Sequence, residues 1–151
     1  MYMEEFDNTI LTNVQGVAST IKHAGRAMVE RKICSSIICT ATVAAALGGS
    51  APRTYTTSKH ALVGMVQSTC SELGAHGIMV NRISPFKVTT PLACDAYNLD
   101  LDRMEVVTCA AANLKGTVLK PAHIVEVALF LALDEVDGGF TVVSQSYSTI
   151  Q

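Results

Sequence analysis

The sequence predicts an α/β fold that forms part of a wider parallel sheet. Three observations predict it. Apolar residues recur at helical spacing in several segments, short apolar runs of strand length lie between them, and the two kinds alternate along the chain. Right-handed crossovers would make the strands parallel neighbours. Two or three strands make a small sheet with an open edge that invites further pairing, so the chain reads as one section of a larger one.

The first element is a long helix from about Glu4 to Arg31. Phe6, Ile10, Val14, Val17, Ile21, Ala24 and Met28 keep helical spacing, and Asn13 and Gly16 interrupt them with weak helix formers. Ser35 to Thr40 is a short apolar run suited to a strand covered on both faces. Ala41 to Pro52 is rich in alanine and glycine and reads as a loop.

A second long helix is predicted from Tyr55 to Leu73, with Ala61, Leu62, Met65, Val66, Thr69 and Leu73 as its apolar stripe. Gly74 and Gly77 end it in the manner of a C-terminal cap. Ile78 to Ser84 reads as a strand stopped by Pro85, and Pro85 to Leu92 as a loop. Tyr97 to Leu114 reads as a poorly patterned helix. Pro121 suits the first turn of another, with Ile124, Val127, Ala128 and Leu131 on one face. A turn over 134–139, a short strand over 140–143 and a loose polar tail over 144–151 complete the chain.

Composition bounds the function. Of 151 residues, 49% are hydrophobic and 16% charged, which suits one packed domain and excludes a disordered chain. A net charge of −2 gives no footprint for nucleic acid or an anionic membrane, and the lack of tryptophan argues against a base-stacking platform. So little charge on so apolar a chain suggests that part of its surface is covered by a partner. The cysteine count of five is odd and contains no CxxC pair, which argues against a disulfide framework or a zinc site. His23, His60, His76 and His123 lack metal-like spacing and read as surface or capping residues. The acidic start is unlike a signal peptide, and no apolar run reaches the length of a membrane span. A cytoplasmic location is therefore expected.

Chemistry is concentrated at Tyr55-Thr56-Thr57-Ser58-Lys59. The phenol and the ammonium lie one turn apart on one helix face. A free phenol has a pKa of about 10, and a nearby positive charge favours the phenolate and brings proton transfer toward neutral pH. Such a pair can pass a proton to or from a carbonyl or alcohol oxygen, so oxidoreduction is the chemistry expected.

Around this pair the chain resembles the short-chain dehydrogenase/reductase family. Phe6-Asp7 through Asn13-Val14-Gln15-Gly16 resembles its FDxxxxxNxxG helix, Ser36 to Thr42 its GSIIxTSS strand end, and Tyr55 to Ala61 its YxxSKHA segment. Gly77 to Pro85 resembles GIRVNxISP, Val88 to Leu92 resembles VxTPL, and Val136 to Phe140 resembles VDGGF. The likeness runs over residues 4–143. Lys22 to Met28 and Asn113 to Gly116 lean toward a plant branch similar to secoisolariciresinol dehydrogenase.

The resemblance implies roles at matching positions. Tyr55 would donate or accept the proton, and Lys59 would lower its pKa and hold the nicotinamide ribose. Asn13 would help hold a water for proton relay. Thr42 occupies the place of the serine that polarises the substrate carbonyl, with Thr40 as the alternative. Pro85, Val88 and Thr90 match the segment that contacts the cofactor, although neither Phe86 nor Lys87 is the glycine usual there. The implied cofactor is NAD or NADP, and the implied substrate a small alcohol or ketone.

The resemblance also carries departures. No GxxxGxG loop, ribose-binding acid or NNAG segment occurs, and the join from Asp134 to Phe140 is shorter than the family's. The expected architecture is therefore a partial Rossmann-like, doubly wound fold lacking the N-terminal βαβ cofactor-binding half, with residues 1–151 as one truncated domain. Two functions follow as expectations. One is an NAD(P)-dependent oxidoreductase impaired by loss of its nucleotide cradle. The other is a non-catalytic fragment or incomplete gene model that associates with full-length homologues. A homo-oligomer through the two long helices is expected in either case.

Overall fold

The computed structural model describes residues 2–47, 49, 51–112, 116 and 118–133. Strands β1 (Ser36–Thr40) and β2 (Met79–Ile83) run parallel, with Ser36 opposite Met79 and Thr40 opposite Ile83. Helix α3 (Arg53–Gly74) is the crossover between them. Period-two alternation puts Ile37, Cys39 and Val80 on one sheet face. They pack with Leu62, Val66, Cys70 and Leu73 of α3 and with Ile21 of the first long helix. Ser36 belongs to the opposite face, where its hydroxyl donates to the Leu131 carbonyl of helix α6 (Pro121–Ala132) at 3.1 Å. Helices therefore cover both faces, as a parallel sheet requires.

The first long helix forms as α1 (Met3–Ile10), a π-helical turn (Leu11–Gln15) and α2 (Gly16–Arg31). The weak formers Asn13 and Gly16 fall in or beside that turn, where the Gly16 amide bonds the Leu11 carbonyl. One extra residue in the turn rotates everything after it by about 100°. Ile21 and Gly25 of α2 are buried as a result, whereas α1 and the π turn bury nothing fully. Gly25 permits close approach of the helices, since a Cβ there would lie 3.0 Å from Leu73 Cδ1.

Several expectations shift. The exposed Ala61 leaves the stripe of α3, and Cys70 joins it. Gly77, not Gly74, takes the left-handed conformation, with φ of +70°. The segment after Pro85 is not all loop. Thr90 accepts a hydrogen bond from the Ala93 amide at 3.2 Å and Pro91 occupies the first turn, so helix α4 (Pro91–Tyr97) forms. Asn98 breaks it in a left-handed conformation, and Asp100 caps helix α5 (Leu101–Ala111). Pro121 opens α6 as expected, with His123 accepting a hydrogen bond from the Lys120 amide at 3.1 Å. Val127 is exposed rather than inward, however, while Leu131 is buried. The expected turn, strand and tail over 134–151 lie outside the described residues. Among the described residues no helix is long and apolar enough to cross a membrane.

Candidate active site

Tyr55 sits in the first turn of α3, half-buried, where the chain leaves the loop after β1. Its hydroxyl feels the Thr42 side chain, whose hydrogen-bonding favours the phenolate. Thr42 is held at the mouth of β1 by three ties. Its hydroxyl lies 3.4 Å from the Pro85 carbonyl and accepts from the Ala44 amide at 3.3 Å, and the Val43 amide donates to Pro85 at 3.0 Å. The hydroxyl has one proton to give. It can point to Pro85 while Tyr55 is a phenol and turn to Tyr55 when the phenolate forms.

Lys59 lies one turn along α3, as the spacing predicted. Its ammonium is 5.6 Å from the centre of the Tyr55 ring and donates to the Thr40 carbonyl at 2.9 Å. The expected lowering of the Tyr55 pKa is overturned. Burial pushes the phenol above its ordinary value, the Thr42 hydrogen bond offsets part of that, and the nearby Tyr97 phenol raises it further. The ammonium faces the ring and a backbone carbonyl rather than the hydroxyl. Burial likewise lowers the Lys59 pKa and raises that of the neighbouring Cys39 thiol, with each group partly offsetting the shift of the other.

Asn13, from the centre of the π turn, donates to Ser58 Oγ at 3.1 Å. Ser58 is wholly buried and donates in turn to the Tyr55 carbonyl at 2.7 Å. This link from the first long helix to the tyrosine was not anticipated. Its only trace in the sequence is a serine three positions after Tyr55, which places it on the same helix face. Thr40 offers its carbonyl, not its side chain, to the site.

The loop after β2 supplies the remaining expected residues. Pro85, Val88 and Thr90 are each half-buried. The Pro85 carbonyl is engaged by Thr42 and Val43. Thr90 Oγ accepts from Ala93 and keeps its proton for another partner. Between them, the Thr89 hydroxyl is buried without a hydrogen-bond partner among the described residues. This is the point where the loop would gain most from an additional polar group. Lys87, in the same loop, places its ammonium 5.5 Å from the centre of the Tyr97 ring at the end of α4.

The assembly is a phenol acted on by a hydroxyl, an ammonium one turn away, and a loop with hydroxyls to spare. These donors fit the nicotinamide and ribose end of a dinucleotide. The pyrophosphate end has no counterpart in the sequence, which contains no GxxxGxG loop.

Comparison with known proteins points to one family. A family profile described as enoyl-(acyl carrier protein) reductase matches residues 1–142. Short-chain dehydrogenase reductase 3b of Arabidopsis thaliana is 50% identical over 93% of this chain, which spans 59% of that relative. The crystal structure of a short-chain type dehydrogenase/reductase from Mycobacterium marinum superposes with a TM-score of 0.77 at 31% identity, over 89% of this chain and 51% of that one. A 3-oxoacyl-[acyl-carrier protein] reductase with bound NAD from Brucella melitensis gives 0.71 at 26% identity, over 92% of this chain and 50% of the other. The chain thus spans between half and three-fifths of the length of these proteins.

Proposed function

Because this chain belongs to the short-chain dehydrogenase/reductase family, we propose that its chemistry is nicotinamide-dependent interconversion of a small alcohol and its ketone, impaired in the stretch at hand. The observation that carries the reading is the Lys59 ammonium 5.6 Å from the centre of the Tyr55 ring, one turn along α3, with Thr42 acting on the Tyr55 hydroxyl. NAD or NADP, when bound, supplies the hydride acceptor or donor. Tyr55 gives a proton to the substrate oxygen or takes one from it. Thr42 holds that oxygen by its hydroxyl. Lys59 and Thr90 offer donors to the ribose and amide, with Pro85 and Val88 shaping the wall beside them. Asn13 and Ser58 hold the first turn of α3, and Tyr55 with it, against the first long helix.

At neutral pH Tyr55 rests as the phenol, the form that donates to a ketone oxygen in reduction, and its phenolate is the form that takes the proton in oxidation. Catalysis depends on positioning, so a nicotinamide held without a pyrophosphate cradle should turn over slowly. Titration of the purified chain with NADH or NADPH, read by cofactor fluorescence, tests the impairment. Weak, non-saturating binding is expected; tight saturable binding would overturn it.

A second reading is favoured by one observation. Helix α1 and the π turn have no fully buried residue; Phe6, Ile10 and Val14 are only half-covered, and Leu11 is 58% exposed. That face suits a partner surface on a second copy or a full-length relative. The stripe of α3 contributes less, because Leu62, Val66 and Leu73 are already in the core. Co-expression with a full-length relative, followed by size-exclusion chromatography with light scattering, tests this. Separate elution of the two chains would sink it.

A further inference from the structure

The π turn joins two helices that are anchored very differently. Ile21 of α2 lies in the core and Gly25 packs on Leu73, whereas α1 and the turn bury nothing fully. The Leu11 amide is shared between the Asn8 and Asp7 carbonyls, and the Gly16 amide reaches back five residues to the Leu11 carbonyl. The turn therefore holds one residue more than an α-helical turn, and its alternative is a single unbroken α-helix. With α2 fixed, each residue before the turn would then take the place of the one before it. Leu11, 58% exposed, would move into the half-buried place of Ile10. Asp7 would enter the half-buried place of Phe6, and Phe6 the exposed place of Glu5. One exchange gains apolar burial and the other loses it, so packing on α1 separates the two registers by little. The tie that favours the π register is Asn13, which donates to the wholly buried Ser58 at 3.1 Å and would rotate away as the turn rewinds.

We propose that the π turn is a two-register switch, and that only its π register ties Tyr55 to the first long helix. In that register the path from Asn13 through Ser58 to the Tyr55 carbonyl is complete, with Ser58 donating at 2.7 Å. In the unbroken register Ser58 loses its donor, and the first turn of α3 is held by its own helix alone. A partner that grips Phe6 in its present place favours the π register, since the other register moves that ring away. Contact on α1 is thereby felt at Tyr55. The switch stands whichever reaction Tyr55 serves.

Amide relaxation dispersion on the purified chain tests this, because helix register shifts fall in the microsecond-to-millisecond range. Exchange with one common rate is expected over residues 3–15 and at Tyr55, and none in α2 from Ile21 onward. Asp7→Leu puts an apolar side chain into the place that Phe6 vacates, and Phe6→Ala removes the ring that the π register covers. Each should raise the minor population at least about three-fold. Ser58→Ala cuts the tie and should raise it about five-fold. Deletion of Thr12, an exposed residue of the turn, removes the extra residue, and its chemical shifts should match those of the minor state. The three substitutions keep the chain length and decide the matter where the deletion does not fold. Flat dispersion over residues 3–15 in both the unmodified chain and Asp7→Leu would overturn the proposal. So would exchange there that leaves Tyr55 unmoved, or that Ser58→Ala does not increase.

Discussion

Asn13 and Ser58 are joined by a 3.1 Å hydrogen bond across 45 positions of sequence, and through Ser58 the bond continues to the Tyr55 carbonyl at 2.7 Å. The π turn presents Asn13 to α3, and the wholly buried Ser58 passes the constraint to the first turn of that helix. Tyr55 is thereby tied to the first long helix.

This link predicts a measurable coupling. Ser58→Ala leaves Asn13 and the Tyr55 carbonyl each short of a partner and should cost about 1–3 kcal/mol, while Asn13→Ala should cost about 1 kcal/mol. The double variant should cost about 1 kcal/mol less than the sum of the two, because each single change already breaks the shared bond. Urea unfolding of the four proteins measures it; strict additivity would show that the two residues do not act together.

Thr42 predicts a titration. Tyr55 should ionise above the ordinary phenol value of about 10, in a step identified by its absence from Tyr55→Phe. Thr42→Val removes a donor that favours the phenolate, so the step should move further upward. Ultraviolet difference spectra at alkaline pH read both. An unmoved step in Thr42→Val would mean that the threonine does not support the phenolate.

Lys59 predicts a dependence of stability on pH. Its folded pKa is depressed by burial, so its contribution is present above the unfolded value of about 10.5 and lost as pH falls through the folded value. Lys59→Met removes this dependence. The stability of the unmodified chain relative to Lys59→Met should therefore rise between about pH 8 and about pH 10. Tyr55, with its raised pKa, acts oppositely. Its contribution is present below about pH 10 and lost as pH rises through its folded value. Unfolding curves at the two pH values, run on both chains, test the lysine's share, since Tyr55 is common to both.

Gly77 predicts a backbone cost. It has φ of +70°, and a Cβ there would sit 3.1 Å from Cys34 Sγ. Gly77→Ala should destabilise by about 1–2 kcal/mol through the left-handed conformation, with crowding of the thiol adding to it. Cys34→Ser, which shortens the neighbour, should recover the crowding but not the conformational share. Complete recovery would show that the left-handed backbone is not the cause.

Much of the helical and strand content was legible because it depends on neighbours in sequence. The apolar repeat that ends in α2, the Tyr55–Lys59 spacing on α3, the short apolar β1 and the Pro121 start of α6 all express periods of 3.6 or 2. The segment between Pro85 and Leu114 was less readable. There the caps at Thr90 and Asp100 decide two helices, and each signal is a single side chain without a repeating pattern to reinforce it.

Local pattern was enough to bring a phenol and an amine onto one helix face and to imply a parallel α/β unit. Tertiary packing alone settled what each group touches. Thr42 acts on Tyr55, Asn13 reaches Ser58, Lys87 lies on Tyr97, and Lys59 spends a bond on Thr40 instead of activating the phenol. Periodicity sets direction along one element, whereas distance and desolvation between elements depend on how the loops return the chain. That is why the location of the pair was readable in advance and the direction of its pKa shift was not.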